Sequence, residues 1–368
     1  MPAGERGMSA LPFNPAVLER WLVGRGLCVG RIELRRIGDG RSNLTYLVSD
    51  GDRSMVLRRP PPPPLPPGAN DMRREVRILS ALAASKVPVP RVLATAEPGE
   101  VMEAMCYVMQ HLDGVVVTET LPSTLDTEEG RRASAEAFID TLAELHRLDW
   151  RAIGLSGLGR PGDFLVRQLD RLPRLIAEAD GTLPEPFGTV RDLLRDTRPS
   201  GGVSALLHGD YRFGNVMLAR DKPARLLGVL DWELAGIGDP LVDLGYTLAT
   251  YAVPGEPTHA LTAMSTPTLA PGFPSRADLA ARYARRTGAD LARLAWYEAF
   301  ALFKLAVLFE YNRRKTASGG GDPYYADPSL VTGLVTACRR ALRDDPAQDA
   351  AELTTTQQSA LRSSHHTS

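Results

Sequence analysis

Leu207-His208-Gly209-Asp210-Tyr211-Arg212-Phe213-Gly214-Asn215, followed after an apolar run by Leu230-Asp231-Trp232-Glu233, is the stretch whose reading decides the fold. An acid and an amide stand five residues apart, and a second acid follows a strand-like segment. That order places a carboxylate beside an acceptor hydroxyl and supplies oxygen ligands for magnesium on a nucleoside triphosphate. Taken singly, Asp and Asn in loops make turns or cap helices. Taken together, in this order and with this gap, they point to phosphoryl transfer.

Working outward, the chain has 368 residues, enough for two packed units and a short tail. Hydrophobic residues make up 43% and charged residues 24%, the proportions of a globular chain. The 43 basic and 44 acidic side chains leave a formal charge of −1, so no broad affinity for nucleic acid or anionic membrane is expected. Cys28, Cys106 and Cys338 are few and far apart, indicating neither a disulfide framework nor a zinc site. No apolar run approaches the roughly 20 residues that span a bilayer, and the first ten residues lack the apolar core of a signal peptide. A cytoplasmic location is the simplest expectation.

Before the motif, residues 15–24 read as a short helix capped by Asn14, and 31–37, 44–49 and 54–59 as strands, with Asp50-Gly51-Asp52 turning the last pair. The nearly pure proline run 60–67 reads as a stiff spacer, a docking site for a proline-recognising module being its alternative use. Residues 71–84 form a helix pattern, and 92–95 and 101–109 further strands about a Pro98-Gly99 turn. Beyond Gly114 the pattern becomes helical, at 128–148, 165–177, 239–251, 278–285, 294–315 and 330–343, with strand-like runs only at 215–219 and 225–230. The organisation expected is a nucleotide-binding part over 1–110, a hinge at 111–114, a helical part over 115–344 carrying the catalytic loop and substrate site, and a disordered tail over 345–368.

With these residues in view, the chain resembles the aminoglycoside phosphotransferase family of protein-kinase-like fold. It looks closest to the branch of phosphotransferase domains found beside acyl-CoA dehydrogenases. The similarity runs from about Leu34 to Leu342 and is strongest at Leu207 to Asn215, at Leu230 to Glu233 and at Gly238-Asp239-Pro240-Leu241-Val242-Asp243-Leu244-Gly245. Gly40-Arg41-Ser42-Asn43, Val56 to Pro60, Arg74-Glu75-Val76 and Tyr107-Val108-Met109 add support. The resemblance implies an α+β fold of two lobes, a small antiparallel sheet with one main helix and a larger, mostly helical lobe.

It also implies roles. Asp210 would be the catalytic base, and Asn215 and Asp231 the Mg2+ ligands, the three converging in the cleft between the halves. Glu75 would pair with the phosphate-binding cation, here Arg58 where many members carry Lys; Arg keeps the charge but is longer and forked. Ser42 and Asn43 would belong to the loop over the triphosphate. Gln110 and Leu112 would present a carbonyl and an amide to the adenine of ATP. Arg212 would stabilise the transferring phosphate, or else pair with a nearby carboxylate. Asp243 resembles the family's buried acid that holds the catalytic-loop backbone, His208 reads as a packing element, and Asp239 as a helix cap. Glu233 is either a further carboxylate near metal or substrate, or a solvated side chain.

The expected acceptor is a small hydroxylated molecule. The segment 255–275 carries Glu256 and no other acid, which argues against a polycationic antibiotic and for a neutral or acidic metabolite, a hydroxyacyl-CoA among the candidates that the branch implies. Arg313, Arg314 and Lys315 could meet anionic groups or simply favour a helix dipole. An antibiotic-modifying kinase, a catalytically silent nucleotide-binding sensor or scaffold, and a metal-dependent hydrolase using His208, Asp210 and Asp231 are the competing readings.

Overall fold

A computed structural model describes residues 11–38, 43–62, 70–118, 120–159, 162, 164–200, 202–257, 259–260 and 262–345. Ser42, most of the proline run and the tail beyond 345 lie outside these. The chain divides into two compact units. One takes residues up to Asp113 together with Gly228–Glu233; the other takes Gly114–Leu227 and everything from Leu234.

The first unit opens with α1 (Pro15–Val23), whose N-cap Asn14 accepts the Ala16 amide. Strands β1 (Glu33–Arg36), β2 (Leu44–Ser49) and β3 (Ser54–Arg59) follow, then α2 (Met72–Leu82), β4 (Val92–Ala96) and β5 (Cys106–Gln110). The strands form one antiparallel sheet in the order β1-β2-β3-β5-β4. Central β3 is buried from Met55 onward. Period-two alternation sends Leu57 into the core with Leu18, Leu22 and Val48, and turns Arg58 to the opposite side. Asp71 caps α2 by accepting the Arg74 amide, and Ile78, Leu79 and Leu82 pack the helix onto β4 and β5.

The expected strand over 101–109 begins only at Cys106. Val101 and Met102 are buried by the core beside α1 without joining the sheet, so their apolar character came from packing rather than from pairing.

The second unit contains β6 (Val115–Val116), α3 (Glu128–Arg147), α4 (Phe164–Arg171) and α5 (Phe187–Asp196), then β7 (Ala205–Leu207) and β8 (Val216–Leu218). Strand β9 (Leu226–Val229) carries the chain back into the first unit, and β10 (Gly236–Gly238) leads to α6 (Leu241–Thr250), α7 (Arg276–Thr287), α8 (Leu294–Ala317) and α9 (Pro328–Arg343). More strand exists here than the two runs expected: β7 pairs with β10 and β6 with β8. These strands are two or three residues long, too short for periodicity to reveal. Helix α5 was also not foreseen, and the helix expected over 165–177 gives way at Pro173 to a 3₁₀ turn, Leu172–Leu175.

Helix α8 is the axis of this unit, lying against both α6 and α9. Trp296 and Phe300 stack at 5.5 Å and, with Phe303 and Leu334, are almost wholly buried. The α6 contact is unusually close: a Cβ on Gly245 would stand 2.6 Å from the Tyr297 carbonyl carbon and 2.7 Å from its oxygen. Backbone atoms at that range cannot give way as a side-chain tip can. Gly245→Ala should therefore push α6 from α8 and lower stability by about 1–3 kcal/mol; urea denaturation showing no change would remove this close approach as a constraint.

Candidate active site

In the second unit, the loop between β7 and β8 is held from below. Asp243, on the first turn of α6 and fully buried, accepts the His208 amide at 2.6 Å and the Gly209 amide at 2.9 Å. His146 of α3 lies 3.3 Å from the same carboxylate and 2.6 Å from the Tyr283 hydroxyl. Burial by itself would raise the Asp243 carboxyl, but His146 and the His208 amide together hold it below the ordinary carboxylate value. Gly209 has φ +85°, and a Cβ there would meet the Leu234 carbonyl oxygen at 2.5 Å, so the turn accepts only glycine.

The rest of the loop alternates. Tyr211 and Phe213 point inward and stack on Phe138 of α3 at 4.6 and 4.3 Å, and the Tyr211 hydroxyl donates to the Phe138 carbonyl. Asp210 and Arg212 point the other way and keep partial exposure. The Asn215 side-chain amide donates to the Asp210 backbone oxygen at 2.8 Å and to its Oδ2 at 2.7 Å. Both contacts are made by the amide nitrogen of Asn215. Arg212 Nε lies 3.5 Å from Asp210 Oδ1, so the carboxylate pairing weighed above is present, and its partner is Asp210. His208 is buried and takes the Asp210 amide on Nδ1, a structural role.

Two further groups reach this cluster without having been foreseen. The Tyr246 hydroxyl donates to Asp210 Oδ1, and Lys304 Nζ donates to the Gly209 carbonyl at 3.0 Å while lying 5.6 Å from the centre of the Tyr246 ring. Burial raises the Tyr246 hydroxyl well above its usual value and Asp210 adds to this, so it stays a donor. Burial lowers the Lys304 ammonium against the opposing pull of Asp210 and Asp243. Both had a sequence signal: Tyr246 stands three residues after Asp243, on the same helical face, and Lys304 is the one charge within 299–309.

The first unit gathers a second cluster. Arg58 Nε donates to Glu75 at 3.1 Å and its Nη2 donates to Asp231 Oδ1. These carboxylates hold the guanidinium's pKa above its usual value despite burial, while burial of Glu75 raises its carboxyl against the pull of Arg58. Asp231 has φ +65°, a left-handed conformation costly for a residue with a Cβ and characteristic of functional positions. Asn43 is occupied at both ends, donating to Glu233 Oε2 at 2.9 Å and accepting from Asn70 at 2.8 Å; Glu233 is thereby engaged, not merely solvated. The Gln110 amide donates to the Arg91 carbonyl, and the Leu112 side chain packs over Gly228.

Among the described residues no group of three or more His, Cys, Asp or Glu side chains could hold a metal. Asn215 and Asp231 each carry side-chain oxygens of the hard type that magnesium takes. Elsewhere, α6 begins at Leu241 with Pro240, not Asp239, at the N-cap position; Asp239, one residue earlier, accepts the Leu241 amide on Oδ1, and Tyr297 donates to its other oxygen. Arg313 and Arg314 are engaged by Glu310. No described helix is long and apolar enough to cross a membrane.

A model of the "Phosphotransferase enzyme family" matches residues 33–297. Acyl-CoA dehydrogenase family member 10 of Mus musculus is 30% identical over 320 residues, covering 85% of this chain and 29% of the relative. Family member 11 of Gallus gallus is 34% identical over 227 residues, covering 61% and 29%. The chain thus spans less than a third of the length of these relatives. Among solved structures, one from Ralstonia eutropha jmp134 named for the aminoglycoside phosphotransferases is 25% identical, with a TM-score of 0.71 and coverage of 90% of this chain and 96% of that one. The ternary complex of aminoglycoside phosphotransferase APH(4)-Ia with AMP-PNP and hygromycin B is 15% identical with a TM-score of 0.56, covering 89% and 98%. These likenesses show the protein-kinase-like α+β fold, with its small antiparallel-sheet lobe and its larger helical one.

Asp243→Ala would leave the buried His208 amide, the partly buried Gly209 amide and His146 without this partner. The expected loss is about 3–5 kcal/mol, read as a lower urea midpoint; a loss below about 1 kcal/mol would mean that other contacts hold the loop.

Proposed function

The chain belongs to the phosphotransferase enzyme family, and from that premise we propose that it moves the γ-phosphate of ATP to a hydroxyl of a small molecule, with Asp210 as the base. The observation that carries this reading is the Asp210 carboxylate, oriented by Asn215 and Tyr246 on a loop whose backbone is tied to Asp243. A carboxylate fixed by two donors and still partly exposed is suited to accept an incoming hydroxyl's hydrogen bond and take its proton as the phosphorus–oxygen bond forms. Arg212 is assigned to the charge on the transferring group; its guanidinium already lies beside the base.

Asn215 and Asp231 are assigned to magnesium, which when bound neutralises phosphate charge. Arg58, held by Glu75 through Nε and by Asp231 through Nη2, is assigned to the phosphates, and this pairing supports Arg as a working substitute for Lys. Adenine is assigned to the Gln110 carbonyl and the Leu112 amide, and the loop with Ser42 and Asn43 to the triphosphate. Because Asn43 already bonds Glu233 and Asn70, its role is to shape that loop rather than to touch phosphate.

For the acceptor, the acid-poor segment 255–275 and the relatives named for acyl-CoA dehydrogenases favour a neutral or acidic hydroxylated metabolite, with hydroxyacyl-CoA first in line. The aminopropanol kinase of a microcompartment, a structural neighbour at 18% identity and TM-score 0.54, shares only the fold.

Magnesium-dependent ADP formation against a panel of hydroxyacyl-CoAs, amino alcohols, sugars and aminoglycosides tests the reading. Turnover with one metabolite class is expected, falling at least about 100-fold in Asp210→Asn and about tenfold or more in Arg212→Ala. Asp231→Ala should lose magnesium-dependent ATP binding. Binding of ATP with no turnover on any acceptor would instead make the protein a nucleotide sensor or scaffold, and turnover confined to aminoglycosides an antibiotic-modifying kinase.

A further inference from the structure

A cavity of about 520 Å³ lies in the helical unit, walled by the end of α6, the first residue of α7, the first two turns of α8 and the last turns of α9. Its volume is that of a small-molecule site. It faces residues of α8 such as Glu298 and Leu302, about 240° and 200° round the helix from Lys304 at 100° per residue. It is therefore a different surface of that helix from the one beneath the catalytic loop. Glu256 and His259 of the segment 255–275 contribute to its wall, but none of the residues assigned above to the base, magnesium, phosphates or adenine lines it.

Its charges are unevenly committed. Arg276 is saturated: Nε and Nη2 donate to the Tyr251 carbonyl at 3.0 and 2.6 Å, and Nη1 to Glu256 Oε2 at 2.8 Å. Arg340 reaches that same Glu256 oxygen only at 3.5 Å, with nearly half of its side chain exposed. His259 is pushed down to about 4 by burial and by Arg276 and Arg340, so it is neutral. Glu298, partly buried in the wall, receives no hydrogen bond or ion pair from any described residue. Burial pushes its carboxyl up to about 7, with Glu256 and Asp344 adding to the rise and Arg276 and Arg340 opposing it. A partly buried carboxylate without a donor is a group waiting for one. The loosely held guanidinium of Arg340 lines the same cavity and offers the complementary charge, and Ala249, Leu302 and Ala341 supply apolar wall.

We propose that this cavity binds a small zwitterion with an apolar body, of amino-acid to dipeptide size, its ammonium against Glu298 and its carboxylate against Arg340. Neither charge alone satisfies the site: an amine leaves Arg340 with only its 3.5 Å contact to Glu256, and a carboxylate leaves Glu298 without a donor and adds repulsion. Affinity must rise with pH, because an ammonium requires Glu298 ionised. With its carboxyl at about 7, the ionised fraction grows from roughly a tenth near pH 6 to roughly nine tenths near pH 8.

Calorimetric titration of the full chain with L-phenylalanine, L-leucine and L-alanyl-L-leucine tests this, with phenethylamine and 3-phenylpropionate as singly charged halves of the first. At least one zwitterion should saturate, binding about tenfold more tightly near pH 8 than near pH 6. Its affinity should fall about tenfold or more in Glu298→Gln and in Arg340→Gln, and both halves should bind more weakly than the whole. The pH dependence of the unaltered protein is read without any variant, so a misfolded substitution does not spare the idea. Absence of saturation by all three zwitterions, affinity independent of pH, undiminished affinity in folded variants, or equal binding by phenethylamine would each overturn it. The outcome is separate from ATP turnover, which neither result presupposes.

Discussion

The acceptance of two consecutive backbone amides by one buried carboxylate governs the helical unit. Asp243 is charged, wholly enclosed and bonded to the His208 and Gly209 N–H groups, with His146 completing its surroundings. An enclosed carboxylate is tolerable only when its lone pairs are taken up. That requirement makes the loop's position non-negotiable: moving it would strand the charge. Everything that follows in the loop, from the positive φ of Gly209 to the inward rings of Tyr211 and Phe213, is consistent with a segment held to a single geometry.

The same helix that supplies Asp243 also delivers Tyr246 to Asp210, and the close passage at Gly245 sets α6 against α8, the helix that delivers Lys304. Loop, α6 and α8 thus form one mechanical assembly. In the sheet unit, Arg58 plays the corresponding organising part. It bonds Glu75 on α2 and Asp231 on the returning segment, so three separate pieces of chain meet on one guanidinium. A cation shared by two carboxylates remains charged, as the phosphate-binding role proposed for it requires.

Much of this was legible in the sequence because the informative residues are local. Strands 44–49 and 54–59 match β2 and β3, Asp71 and Asn14 cap the helices that they precede, and Asp243 holds the loop as the family resemblance implied. What escaped was short or long-range. Strands of two or three residues such as β6, β7 and β10 carry no periodic signal and exist because distant segments pair. Tyr246 and Lys304 stand in apolar helices, and only the folded arrangement puts their polar ends at Asp210 and Gly209. Val101 and Met102 were mistaken for strand because burial and sheet pairing favour the same side chains.

The central claim concerns the fate of one phosphoryl group, so following that group is the most direct test. With γ-labelled ATP, magnesium and an extract of small metabolites, the account predicts label in an organic phosphomonoester, and none in a reaction run with folded Asp210→Asn. Label that stays in ATP, or passes only to inorganic phosphate at the same rate in both proteins, would contradict it.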